Sequence, residues 1–185
     1  MEYTVIRSRR KTLAVQIKGG QAVVRAPLWA TNLEIRFFLE SHREWIEAHL
    51  AQSIAEERAK QQVPRLTAEE IKALKEKARQ EIPPRVARYA RLIGTGYGKI
   101  SIRCQKTRWG SCNSRGDLSF NCLLMLTPDE VIDSIVVHEL CHRKYMNHSP
   151  RFYAEVLRVC PDYRKHQKWL REHGGMILAR ASEAR

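Results

Sequence analysis

Two stretches of alternating apolar and polar residues, one near residues 3–26 and one near 99–122, are set among capped helical stretches, which predicts an α+β fold. A third observation places chemistry inside that fold. His138, His142 and His148 fall within eleven positions directly after an apolar run, in VVHELCHRKYMNHSPRFY at 136–153.

The elements follow in order. Leu13, Val15 and Ile17 lie two apart, then KGGQ, then Ala22-Val23-Val24, which predicts a β-hairpin turning at Gly19-Gly20. Asn32 opens a helical stretch to about residue 60, with Leu33, Phe37, Trp45, Ile46 and Leu50 as its apolar stripe. Pro64 breaks it. Thr67-Ala68-Glu69-Glu70 fits a capping box for a second helix, which Pro83-Pro84 should kink or split before its end near Ile93. GTGYG at 94–98 follows a helix and precedes a strand, the reverse of a phosphate loop, and is expected to be a plain connection. KISIRC, RWGSC and DLSFN are expected as a second hairpin system turning around Asn113 to Gly116, with Leu118, Phe120 and Cys122 on one face.

Thr127-Pro128-Asp129-Glu130 predicts a threonine cap with proline at the first helical position. The helix it opens carries Val131, Ile132, Ile135, Val136 and Val137, apolar on most sides and so expected to be buried. Ser149-Pro150 repeats the signal for another helix, which Pro161 ends. A last helix from Tyr163 to about Leu170 is expected to lead to Gly174-Gly175. The length favours a single domain over 1–185, made of a hairpin and helix at 1–62, a helical segment at 63–98, a core at 99–175 and a flexible tail at 176–185.

Composition narrows the class. The charge of +13, from 33 basic and 20 acidic residues, suits an anionic partner such as a nucleotide or nucleic acid. The excess is spread along the chain, with SRRK at 8–11 its tightest run, and no DNA-reading helix stands out. Five cysteines, odd in number and without a CxxC pair, predict reduced thiols and a cytoplasmic setting. No window approaches the roughly 18 to 20 apolar residues of a membrane span, and MEYTVIRSRRKT has no signal-peptide core.

His138 and His142 are four apart, so on a helix they stand about 40° apart and one turn along. Both rings can then reach one ion at about 2.0–2.1 Å. Glu139 is rotated about 100° from His138, where a carboxylate can act as base without being a ligand. A hydrolytic zinc site needs a third protein ligand, and His148 is the nearest candidate, brought back by a turn at Met146-Asn147 with Asn147 in left-handed geometry. His42, His49, His166 and His173 show no such arrangement. Cys141 is expected to be a small buried residue, and Cys112 with Cys122 lack the partners for a second metal site.

RWGSC at 108–112, DLSFN at 117–121, TPDEVIDSIVVHELCH and NHSPRFY together resemble the YgjP-like metallopeptidase family, a zincin type also similar to the WLM and SprT-like groups. IRSRRKTLAVQI, VVRAP and REWI extend the likeness over most of the chain, while 50–98 carries no matched motif. The resemblance implies one Zn2+ per chain held by His138, His142 and His148, with Glu139 as catalytic acid/base. It implies a zincin-like core with the HExxH helix beside a small, mainly antiparallel sheet. It also implies that Leu118, Ser119, Phe120 and Asn121 form the strand along the cleft, binding an extended peptide by main-chain pairing.

The expected reaction is peptide-bond hydrolysis by zinc-activated water with Glu139 as general base. Tyr145, Asn121, Arg151 and Tyr153 are candidate oxyanion donors by proximity to the motif, whereas Trp109 and Phe152 are expected to pack. Two other readings stay open. The same site, near Arg108, Arg143, Lys144 and Arg151, could hydrolyse a nucleoside triphosphate to release pyrophosphate. Alternatively, the chain is a basic nucleic-acid-binding module with a structural zinc, although such sites are usually closed by four side chains.

Overall fold

The structure is a computed structural model and describes residues 2–181. The chain divides into two compact units, one up to Gln62 and one from Val63 onward. Among the described residues no helix is long and apolar enough to cross a membrane.

The first unit holds strands β1 (Tyr3–Ser8), β2 (Ala14–Lys18) and β3 (Gln21–Pro27), then helices α1 (Asn32–Ser41) and α2 (Arg43–Gln62). The hairpin turns where expected. Gly19 and Gly20 have φ of 57° and 74°, the left-handed pair that a two-residue turn between twisted strands requires. β3 is central, antiparallel to β2 and parallel to β1, a pairing that local alternation cannot reveal. Ala22, Val24 and Ala26 of β3 pack with Ile35, Leu39 and Ile46.

The helical stretch from Asn32 differs from expectation. A capping box of Thr31 and Glu34 opens α1, and the chain leaves helical geometry at His42, whose ring and the neighbouring Ser41 hydroxyl both reach the Phe38 carbonyl. The break resets the helical phase. Leu33 and Phe37, expected in the buried stripe, are 64% and 69% exposed, while Ile35 and Leu39 point inward.

The second unit begins with α3 (Ala68–Ile93), opened by the predicted Thr67–Glu70 box. Pro83 and Pro84 do not split it. Ala78, Ile82, Val86, Tyr89, Ala90 and Ile93 bury one face across both prolines, and that burial outweighs the lost hydrogen bonds. Gly94, at φ 70°, ends the helix and begins the predicted loop.

Strands β4 (Ile100–Arg103), β5 (Gly110–Cys112) and β6 (Leu118–Asn121) form a sheet in the order β4-β6-β5. β5 and β6 make the expected hairpin. β4 instead pairs in parallel with β6, so the sheet has one parallel and one antiparallel pair.

A 3-10 turn at Cys122–Leu126 leads into α4 (Asp129–Cys141). Thr127 does not cap α4. Its hydroxyl donates backward to the Leu124 carbonyl at 2.8 Å, closing the 3-10 turn, and Pro128 takes the cap position. As expected, α4 is buried on most sides, packed against α3 and β5. Arg85 of α3 anchors its first turns by binding Asp129 and Asp133, each at 2.8 Å, and the Tyr89 hydroxyl donates to Asp133 at 2.9 Å.

Helix α5 (Pro150–Val159) starts at the predicted Ser149 cap, whose hydroxyl accepts from Phe152 N. Helix α6 (Tyr163–Ala179) runs on through Gly174-Gly175, where a stop was expected. Gly174 is there for room: a side chain would meet the Trp109 ring at 3.1 Å. Beyond it, the Arg180 carbonyl accepts from Leu66 N and Ala181 is buried. Of the segment expected as a flexible tail, 176–179 is helical and 182–185 lies outside the described residues.

Glu155 links the turn after α4 to α5. Its carboxylate binds Arg158 at 3.0 Å and Lys144 at 2.8 Å, and these partners pull its carboxyl from 4.5 down to about 2. Because the folded carboxyl is the more acidic, the stabilisation is complete above pH 4.5 and disappears as pH falls through about 2. Glu155→Gln should therefore cost about 2 kcal/mol in urea unfolding at neutral pH, with the gap to the parent protein closing as the medium is acidified toward pH 2.

Candidate metal centre

The buried helix α4 delivers two histidines and a glutamate to one end of the second unit. His142 keeps helical geometry at φ −63° and ψ −17°, so the i, i+4 relation predicted for HELCH holds, with the rings of His138 and His142 4.9 Å apart. His148 returns to them. Its ring lies 5.1 Å from that of His138 and 4.8 Å from that of His142, and one nitrogen from each of the three rings falls within 4.8 Å of the others. His138 Nε2 and His148 Nε2 are 3.2 Å apart.

The return does not use left-handed asparagine, since no described residue other than glycine has a positive φ. Instead the Lys144 and Tyr145 amides both donate to the Cys141 carbonyl at 3.0 Å, continuing the helical wind by one turn. His142 Nδ1 then holds the Tyr145 carbonyl at 3.1 Å. The Ser149 cap redirects the chain immediately after His148.

Behind the rings, His138 Nδ1 lies 2.7 Å from the hydroxyl of buried Tyr163. With each Nδ1–H donated to an oxygen, the Nε2 lone pairs of His138 and His142 face the cluster, the usual arrangement of histidine ligands. Phe152 is the common backing. Its ring stacks on His142 at 4.6 Å and meets His138 and His148 edge-on, each at 5.0 Å. Burial, reinforced by the neighbouring imidazoles, lowers the His138 pKa to about 3, and burial also lowers that of His142. Neutral rings with nitrogens gathered within 4.8 Å of one another suit a divalent cation.

Glu139 is 6% exposed, and burial pushes its carboxyl up to about 8 against the opposing charge of Arg108. It accepts no hydrogen bond from the described residues. Its carboxylate lines a cavity of about 300 Å³ together with the three histidines and Gly110, Ser111 and Cys112 of β5. Gly110 is what lets it fit: a methyl group there would stand 2.7 Å from Glu139 Oε1.

Leu118, Ser119, Phe120 and Asn121 are not placed as expected. β6 is the central strand, paired on both sides, so no peptide can add to it, and Leu118, Phe120 and Asn121 are fully buried. The outer strand beside the cavity is β5. Asn121 is also no oxyanion donor, because its amide donates to the Gln105 and Arg108 carbonyls at 2.7 and 2.9 Å and its oxygen accepts from Leu123 N at 3.1 Å. Of the other candidates, Tyr145 packs on the core and Arg151 is exposed, while Tyr153 lies beside His148 at 6.1 Å between rings.

Sequence reasoning missed two residues of the site. Gly110 was within reach, because RWGSC stood out as a motif. Tyr163, 25 residues from His138, left no signal.

The model of the YgjP-like metallopeptidase domain family matches residues 56–173. No curated protein matches the chain. Two solved metallopeptidase zymogens are similar to part of it. Pyrococcus abyssi abylysin is 20% identical over 49% of this chain and 93% of its own, with a TM-score of 0.45. Methanocaldococcus jannaschii jannalysin is 20% identical over 50% of this chain and 96% of its own, with a TM-score of 0.42. The family match spans more than half of the sequence and includes every residue of the histidine cluster, and the chain belongs to the YgjP-like metallopeptidase domain family.

Proposed function

We propose that the chain is a zinc-dependent peptidase, with His138, His142 and His148 as the metal ligands and Glu139 as general base. The observation that carries this reading is the convergence of three imidazoles and one buried carboxylate on a single cavity. Zinc–nitrogen bonds of about 2.0–2.1 Å in a tetrahedron set nitrogens about 3.3–3.4 Å apart, close to the 3.2 Å between His138 and His148. Three ligands rather than four favour catalysis over a purely structural role.

Zinc in this position supplies Lewis acidity, polarising a carbonyl and acidifying water. The protein's own groups do the rest. Beside a divalent cation held by the neighbouring imidazoles, Glu139 favours its charged form, which offsets the effect of burial. Its carboxylate faces the cavity with no hydrogen-bond partner among the described residues, able to take a proton from water and pass it to the departing amine. Tyr163 and the Tyr145 carbonyl hold two of the imidazoles in orientation through their Nδ1 atoms. β5, the outer strand along the cavity, offers a free edge on which an extended peptide can pair.

Three substitutions separate these roles. Glu139→Gln should retain one zinc per chain by atomic absorption while peptide turnover falls at least roughly a hundredfold. His148→Ala should lower the zinc content after dialysis, and an unchanged content would remove it from the ligand set. Gly110→Ala should keep the metal yet lower kcat roughly a hundredfold, because the added methyl displaces the Glu139 carboxylate.

A further inference from the structure

A second hollow, of about 760 Å³, lies between α5 and α6. It begins at Pro150, two residues after His148, and shares a wall with the histidine cluster. Tyr163 lines it while its hydroxyl meets His138, and Tyr153 lines it while its ring lies beside His148. The rest of the floor is apolar, with Ala154 and Leu157. Arg164, Gln167 and Arg171, at i, i+3 and i+7 on one face of α6, bring polar groups to it.

Position sets the two arginines apart: several cations of this unit, Arg91, Arg151 and Lys165 among them, have no carboxylate partner among the described residues, but Arg164 and Arg171 line the hollow beside the histidines. Arg85, Lys144 and Arg158 are each matched by carboxylates, and Lys168 of α6 pairs with Glu172. Arg164 and Arg171 have no acidic partner among the described residues. Two unmatched guanidinium groups and an amide beside an apolar floor are a fitting set of donors for a planar carboxylate, which accepts paired N–H bonds that strengthen as water is excluded.

We propose that this hollow is a substrate subsite that binds a carboxylate of the peptide through Arg164 and Arg171, so that the enzyme selects acidic segments. The proposal rests on the peptidase reading for the identity of its ligand. The carboxylate comes either from an aspartate or glutamate side chain or from a free C-terminus.

The test reads binding rather than turnover. Zinc-loaded Glu139→Gln protein is titrated with two sets of fluorescent peptides. In one set glutamate replaces glutamine at each position in turn, with an amidated end; in the other a neutral peptide carries a free or an amidated C-terminus. At least one carboxylate should tighten binding about tenfold or more, and the set in which this happens identifies its source. Adding Arg164→Gln and Arg171→Gln should abolish that preference and leave the neutral peptides unaffected. Lys165→Gln with Lys168→Gln, an equal loss of charge on the same helix outside the hollow, should preserve it. Equal affinity for acidic and neutral peptides, or a preference that survives loss of both arginines, would overturn the proposal. Turnover of the same peptides by the parent protein is a separate readout. An arginine-dependent preference without any cleavage would sink the peptidase reading and leave the carboxylate site standing.

Discussion

Burial of α4 is the constraint on which the site depends. The helix packs against α3, α5, α6 and β5, which fixes its rotation and register, and its last turn stops at a cavity. His138, Glu139 and His142 therefore emerge in fixed directions, set by the same packing that forms the core. The Arg85–Asp129–Asp133–Tyr89 cluster holds the other end of α4 against α3. Rigidity of this kind favours binding of an ion, because less ordering of the ligands remains when it arrives.

Around that helix, the supporting groups are supplied by parts of the chain that are remote in sequence. Gly110 yields space to the Glu139 carboxylate, Tyr163 holds the back of His138, and Phe152 fills the gap behind all three imidazoles. The site thus draws on β5, α4, α5 and α6 together. Glu155 contributes at one remove by tying Lys144, in the turn between the second and third histidines, to α5.

Charge is handled differently in different places. Some cations tie elements together through carboxylates, as at Arg85, Lys144 and Arg158, and others through backbone carbonyls, as Arg143 does with Gly96 and Ser114. Where α6 passes the hollow beside the histidines, Arg164 and Arg171 line it with no carboxylate partner among the described residues. The excess of +13 is thus not uniform in its consequences, and composition alone could not say where it would matter.

By itself the sequence determined what is local. The HELCH spacing, the Gly19-Gly20 turn, the Thr67 box, the Ser149-Pro150 start and the apolar character of α4 depend on neighbours a few residues away, and each was legible from composition and period. Only the tertiary structure decided what depends on distant partners. The parallel pairings of β1 and β4, the central place of β6, the continuity of α3 through two prolines and of α6 through two glycines all come from packing energy that outweighs local preference. Thr127 shows the same division on a small scale. Its residue type marks a cap, but whether its hydroxyl turns forward to α4 or back to Leu124 is decided by the 3-10 turn that the folded core imposes before it.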